Sequence, residues 1–203
     1  MQRAHSSPLR SALLCPALLC SSLLCCDFSG DDLSHPRNRS DPSALCTAVA
    51  QAKASHLLQS LPSSAPPRLL LTSDQVAYFA GEVREKPKDV QQCREWFAQY
   101  SSSPIRCVTA IVVTNTATRQ VFKGVEHASQ LYLPTPVDVL EKVIERGEIL
   151  GCCGGFMVDD PELQPYLSTR EGREDALMGM PSALLMRLLK EANESEAAGQ
   201  KKQ

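Results

Sequence analysis

Hydrophobic positions along the chain change their period several times, and each change marks an element. Behind Asp41-Pro42, an N-cap followed by proline at the first helical position, Leu45, Val49, Ala52 and Leu57 recur at helical spacing, with Lys53 near the middle. A Ser/Pro linker over residues 60–67 separates this helix from an apolar run at 69–71. The polar cluster Thr72-Ser73-Asp74-Gln75 interrupts that run, which resumes over 76–79 and turns at Gly81. Bounded Leu/Val runs of this length predict two short strands, with Asp74 between them where the chain leaves a sheet. That position suits a working carboxylate. It equally suits an aspartate that only caps a turn.

Pro87 starts the next helix, where Val90, Cys93, Phe97 and Tyr100 repeat at helical spacing beside Trp96. Residues 105–114, IRCVTAIVVT, are apolar enough for a strand inside a sheet. After a turn at 115–118, Val121, Val125, Leu131 and Leu133 share one alternating face. Thr135-Pro136 predicts a helix start with Thr135 as cap and Asp138 as capping acid; Val139, Leu140, Val143 and Ile144 form its stripe and Gly147 stops it. Residues 148–156 predict a strand ending at Gly154-Gly155, and Asp159-Asp160-Pro161 a polar turn. Met180-Pro181 opens a last helix with Leu184, Leu185, Leu188 and Leu189 inward; residues 193–203 form a solvated tail. Helices alternating with strands, plus one hairpin, predict an α/β domain: a twisted mixed sheet flanked by helices.

Residues 1–40 differ from this domain, which spans 41–192. The run SALLCPALLCSSLLCC at 11–26 follows Arg3 and Arg10, and no acid precedes Asp27. A basic start, an apolar stretch and small residues fit a targeting segment; the same residues also fit a divergent first strand and helix.

Composition narrows the partners. With 203 residues, 43% hydrophobic and 22% charged, the chain supports one sizeable domain. A net charge of -2 offers no footprint for a nucleic-acid polymer or an acidic membrane, and no apolar run is long enough to span a bilayer. The nine cysteines form no CxxC pair and no regular framework, which predicts reduced thiols. A cytoplasmic location follows, with an organelle or the secretory route as the alternative if residues 1–26 are a targeting segment.

The sequence contains no GxxxxGK[ST] loop, HExxH, GxSxG or strand-borne GxGxxG, and its four histidines are scattered. Carboxylates and lysines at element ends remain: Lys53, Asp74, Glu85, Lys86, Asp159 and Asp160. Carboxylates hold divalent metals and activate water, and lysines neutralise phosphate oxygens. The set fits phosphoryl chemistry on a small substrate.

The order of short motifs is more specific. AxAKA at 50–54, TSDQV at 72–76, EKP at 85–87, CCGGFMVDDP at 152–161 and MGMP at 178–181 together resemble the Maf family of nucleoside triphosphate pyrophosphatases. The resemblance implies a two-lobed α/β fold with a cleft, similar to inosine triphosphatases. It implies hydrolysis of nucleoside triphosphates to the monophosphate and pyrophosphate with Mg or Mn, and commonly a homodimer. It maps the family aspartate onto Asp74, as proton acceptor or metal-bound group, and the phosphate-holding lysines onto Lys53 and Lys86. Gln75 directly after Asp74, and the acidic Asp159, are similar to the subfamily that acts on 7-methyl-GTP.

The resemblance is weakest at the start. The family loop SxSPRR finds only AHSSPLR at 4–10, in which Ser7, Pro8 and Arg10 fit. Ser7 and Arg10 are therefore the implied phosphate-binding residues there. A second expectation stays open beside the enzyme: a catalytically impaired family member that binds nucleotides or a partner protein.

Overall fold

The structure is a computed structural model that describes residues 39–200. Ser7, Arg10 and the run at 11–26 lie outside the described residues. Helix α1 (Pro42–Ser60) begins as its sequence requires, with the Asp41 carboxylate accepting from the Ala44 amide at 3.0 Å. Strand β1 (Leu69–Phe79) turns through Ala80 and Gly81, at φ 49° and 89°, into β2 (Glu82–Arg84). Two successive positive φ angles match the right-handed twist of a tight hairpin. Asp89 caps α2 (Val90–Phe97), accepting from the Gln92 amide at 2.7 Å. Then follow β3 (Ile105–Asn115), β4 (Val121–Tyr132), α3 (Val137–Glu145), β5 (Leu167–Glu171), the short α4 (Glu174–Leu177) and α5 (Ser182–Gln200).

The strands form one sheet in the order β2-β1-β3-β4-β5, flanked by helices. The α/β expectation holds. Among the described residues every pairing is antiparallel, where the sequence predicts a mixed sheet.

The pleat decides what each face carries. Val108, Ala110 and Val112 of β3 point at α1, joining Leu45, Cys46, Val49, Ala50, Leu70 and Val76 in one core. The opposite face carries two cores. At one end Ile105, Cys107 and Ala77 pack with Phe97, Tyr100, Tyr132 and Phe156. At the other, Ile111 and Val113 pack with Leu184, Leu188 and Ala192 of α5. Between them on β3 sits Thr109, fully buried.

Several local expectations need correction. Residues 69–79 form one strand, not two, because the polar cluster continues the ladder: Thr72 pairs with Val112, Ser73 with Ile111, Asp74 with Ala110 and Gln75 with Thr109. Its side chains find partners too, Thr72 Oγ1 donating to the Ala50 carbonyl at 2.8 Å and Ser73 Oγ to the Ala110 carbonyl at 3.0 Å. Asp74 thus lies inside a strand. Residues 148–156 are not a strand but two 3-10 turns, Glu148–Gly151 and Cys153–Gly155. Gly147, Gly154 and Gly155 have φ of 79°, 72° and 58°, which reverse the chain instead of extending it. Thr135 does not cap α3; Pro136 holds that place and the Thr135 hydroxyl donates back to the Leu133 carbonyl at 3.2 Å. The segment after Ala192 is exposed as expected, yet it continues α5 as helix to Gln200. No described helix is long and apolar enough to cross a membrane.

Two buried thiols couple this packing to pH. Burial, and then the negative charge of Asp74, push Cys46 from 9.0 up to about 12. Burial, and then Cys152, push Cys93 from 9.0 up to about 11. Both stay protonated in the folded chain at pH values where the unfolded chain ionises. Their contribution is complete below pH 9 and falls as pH rises through 11 and toward 12, by about 1.4 kcal/mol per thiol per pH unit. Urea midpoints at pH 8 and pH 10.5 should therefore diverge, and Cys93→Ala should lessen the difference.

Candidate active site

Asp74 and Gln75 leave β1 on opposite faces, as neighbours on a strand must. Asp74 meets α1. Lys53 Nζ donates to its Oδ1 at 2.9 Å and to the Ser73 carbonyl at 3.1 Å. The side chains are 14% and 15% exposed, so a short ion pair is held largely out of water yet reachable from it. Lys53 stands there because α1 packs its Ala50 and Ala54 side against β1 and β3, bringing the long Lys stem alongside. Asp74 also acts at a distance: its charge disfavours ionisation of Cys46 on α1 and of Cys153 in the 153–155 turn. For Cys153 the hydrogen bond with Cys107 and burial are the larger causes of its raised value. The sequence-predicted pair Lys53 and Asp74 is thus brought together, beside α1, β1 and the 153–155 turn.

Gln75 is fixed by the other face. Its Nε2 donates to Thr109 Oγ1 at 2.8 Å and to the Ala176 carbonyl at 2.8 Å, with the Leu177 carbonyl at 3.4 Å. Two carbonyl acceptors dictate which end of the amide is nitrogen. Oε1 accepts from Cys153 Sγ at 3.4 Å, and a side chain at Gly179 would meet it at 3.4 Å. Gln75 therefore ties β1 to α4 and to the 153–155 turn, and lies where a side chain at Gly179 would meet it. Thr109 escapes notice in the sequence. Its one signal is a hydroxyl inside the apolar run from Cys107 to Val113, at a position fully buried here.

Beyond β2 the chain runs back along β1 toward Gln75, since Ala77 pairs with Arg84 in an antiparallel register. This carries Glu85 and the exposed Lys86 toward the Asp74 end. Glu85 pairs with Arg39 Nη2 at 3.2 Å, and its carbonyl accepts from the Gly154 amide at 2.8 Å. The EKP and CCGGF motifs are thus joined backbone to backbone.

The paired acids at 159–160 divide their work. Asp160 is 5% exposed, binds Arg146 Nη2 and accepts from the Glu162 amide at 2.9 Å. Its carbonyl also receives the Leu163 and Gln164 amides. The turn at Pro161 belongs to Asp160. Asp159 is half-buried and follows the buried run Phe156, Met157 and Val158.

Among the described residues no group of three or more His, Cys, Asp or Glu is placed to hold a metal ion. A donor set of one or two carboxylates still suits magnesium, which takes its remaining oxygens from phosphates and water. Asp74, in the middle of β1, offers one such carboxylate, and the Glu85 carboxylate, after β2, lies against Arg39.

The family model described as Maf-like protein matches residues 4–192. A 7-methyl-GTP pyrophosphatase of Dictyostelium discoideum is 30% identical over 159 residues, 76% of this chain and 80% of that protein. Proteins of the same name from Chromohalobacter salexigens and Pseudomonas syringae pv. tomato are 27% and 25% identical. Those matches cover 80% and 92% of this chain, and 81% and 93% of theirs. With its motifs folded into one neighbourhood and its match running almost from end to end, the chain belongs to the Maf-like protein family.

Proposed function

We propose that the chain hydrolyses nucleoside triphosphates to the monophosphate and pyrophosphate, favouring modified nucleotides such as 7-methyl-GTP. The observation that carries this reading is the Lys53–Asp74 pair, a carboxylate on β1 and an ammonium on α1 at 2.9 Å at the edge of solvent. The names of the relatives support the substrate class.

In this reading Asp74 accepts a proton from the water that attacks the α-phosphorus. Lys53 fixes the carboxylate from one side, and Lys86 draws the triphosphate oxygens from the other. Ser7 and Arg10 bind phosphate as well. A divalent cation, Mg or Mn, held by Asp74, would neutralise charge developing on the phosphate oxygens. Gln75 shapes selectivity through what it holds, the α4 carbonyls and the turn at Cys153. Asp159 supplies a carboxylate to the guanine Watson–Crick edge, whose two donors and methyl-induced positive charge it complements.

The second reading is a silent family member that binds nucleotides, motivated by the incomplete SxSPRR match at residues 4–10. Pyrophosphate release with Mg across GTP, 7-methyl-GTP, dTTP and UTP separates the two. Release with 7-methyl-GTP ahead of GTP supports the enzyme; nucleotide binding with no release supports the silent protein. The homodimer implied by the resemblance is a proposal that sedimentation would test.

The neighbouring acids give a sharper check. Asp159→Asn is expected to lower the preference for 7-methyl-GTP over GTP by about tenfold, the loss of one charge-assisted hydrogen bond. Asp160→Asn is expected to leave that ratio unchanged and to lower the melting temperature, because its partners are Arg146 and the Glu162 amide. The ratio of kcat/KM values decides.

A further inference from the structure

Arg84 ends β2 and is 3% exposed. A guanidinium so far from water normally spends its donors on carboxylates or carbonyls. Here Nε and Nη1 have no hydrogen-bond partner among the described residues, and Nη2 donates to Gln99 Oε1 at 2.6 Å, a neutral amide. The charge rests on aromatic rings and acts on the Tyr100 hydroxyl, where it opposes the larger effect of burial, which raises that group. The guanidinium carbon lies 4.4 Å from the centroid of Phe79, 5.3 Å from Trp96 and 5.3 Å from Tyr100. Ring faces attract a cation, and most strongly out of water. Phe79 and Tyr100 also meet edge to face at 5.3 Å, so the cation sits on a braced set of rings.

A chain of contacts leads from this cation into the site. Tyr100 is fully buried, and its hydroxyl donates to the Gly154 carbonyl at 2.5 Å. The Gly154 amide donates to the Glu85 carbonyl at 2.8 Å, and Glu85 directly follows Arg84. The path closes on itself: Arg84, Tyr100, Gly154, Glu85, and back to Arg84. It clamps the 153–155 turn from both sides, since a side chain at Gly155 would also meet Pro87 at 3.3 Å. On one side of the clamp is Lys86. On the other, Cys153 touches Gln75, and the chain runs on to Asp159.

We propose that Arg84 is a positioning residue of the site: by holding Tyr100 on the Gly154 carbonyl it fixes the spacing between Lys86 and the turn that leads to Asp159. The functional half of this statement rests on the pyrophosphatase reading above. Arg84 itself need not touch the nucleotide. It is also not an interchangeable core residue, because the planar cation spans three rings that an alkyl chain would contact on fewer faces.

Amide hydrogen exchange on the full-length chain tests the arrangement without reference to activity. Arg84→Met and Tyr100→Phe should each speed exchange at Gly154 by about tenfold or more, while Val112 in β3 keeps its protection. The double variant should be little faster than either single one, since both break the same path. Arg84→Lys should recover part of the protection. In pyrophosphate release, both single variants should raise KM for 7-methyl-GTP by about tenfold with kcat within about threefold, as expected for lost nucleotide positioning. Tyr100→Phe removes a single oxygen and keeps the test alive if Arg84→Met fails to fold. Unchanged Gly154 exchange in both variants would overturn the proposal. So would faster exchange with wild-type KM, which would confine Arg84 to the core. If the wild-type chain releases no pyrophosphate, the activity assigned above fails, while the exchange data still decide whether Arg84 holds the turn.

Discussion

Asp74→Asn is expected to lower pyrophosphate release from 7-methyl-GTP by about a thousandfold in kcat, within the range for losing a positioned general base. The amide keeps the size and the contact with Lys53 but no longer accepts a proton at neutral pH. The substitution also deprives Lys53, only 14% exposed, of its anion. Removing one partner of a half-dry pair should cost about 2 kcal/mol, less than for a fully buried pair because solvent still reaches it. Two measurements keep these effects apart. Single-turnover rates at a temperature where the variant is folded report the chemistry, and equilibrium binding of 7-methyl-GTP measured without added metal should remain within about threefold. A kcat within tenfold of wild type would remove Asp74 from its assigned role.

Gly154→Ala is the second large effect, and it concerns stability. Gly154 has φ of 72°, and an added Cβ would lie 2.7 Å from the Ala77 Cβ, 3.2 Å from Phe156 Cδ1 and 3.4 Å from the Tyr100 hydroxyl. The left-handed backbone costs about 1 kcal/mol for any other residue, and the clash in a packed core adds about 2 more. A loss of about 3 kcal/mol corresponds to a fall of about 10 °C in melting temperature for a domain of this size. Gly147→Ala isolates the two terms. It shares the positive φ, 79°, but nothing lies within 4 Å of the added methyl. Only the backbone term should appear there. Calorimetry on both variants gives the difference, which is the price of closing the turn onto β1.

Much of the fold is legible in the sequence because amphipathic period and cap chemistry agree. The helix behind Asp41, the apolar β3 and the stop at Gly147 follow from local rules that tertiary packing did not override. The failures have physical causes. Thr72 to Gln75 looks like a break because four polar side chains interrupt an apolar run. Each one's partner lies far along the chain, at Ala50, Ala110, Lys53 and Thr109, which no local pattern displays. The strand β5, with the sequence LSTRE, lies at the sheet edge, exposed along much of its length, and therefore lacks the alternation that reveals a strand. The run at 148–156 carries the apolar content of a strand, but its glycines adopt left-handed φ and fold it into turns. At the site, Lys53 and Asp74 are identified as residues by motif order, while their pairing emerges only when α1 lies across β1. Arg84 is visible in the sequence merely as part of a charged strand end. Its burial among three rings depends on where α2 packs.

The alternation of β1 has a consequence for how such a protein changes over time. Asp74 and Gln75 are adjacent in sequence, yet the sheet gives them largely separate supporting casts. Lys53 and Cys46 belong to the first and Thr109 and Ala176 to the second, while Cys153 is shared, bonded to Gln75 and felt by the Asp74 charge. If Asp74 is the hydrolytic carboxylate and the Gln75 face selects the base, as proposed, substitutions around α4 alter which base is held while Lys53 keeps its place behind the carboxylate. On that reading a single strand makes bond cleavage and substrate choice heritable as partly separable traits.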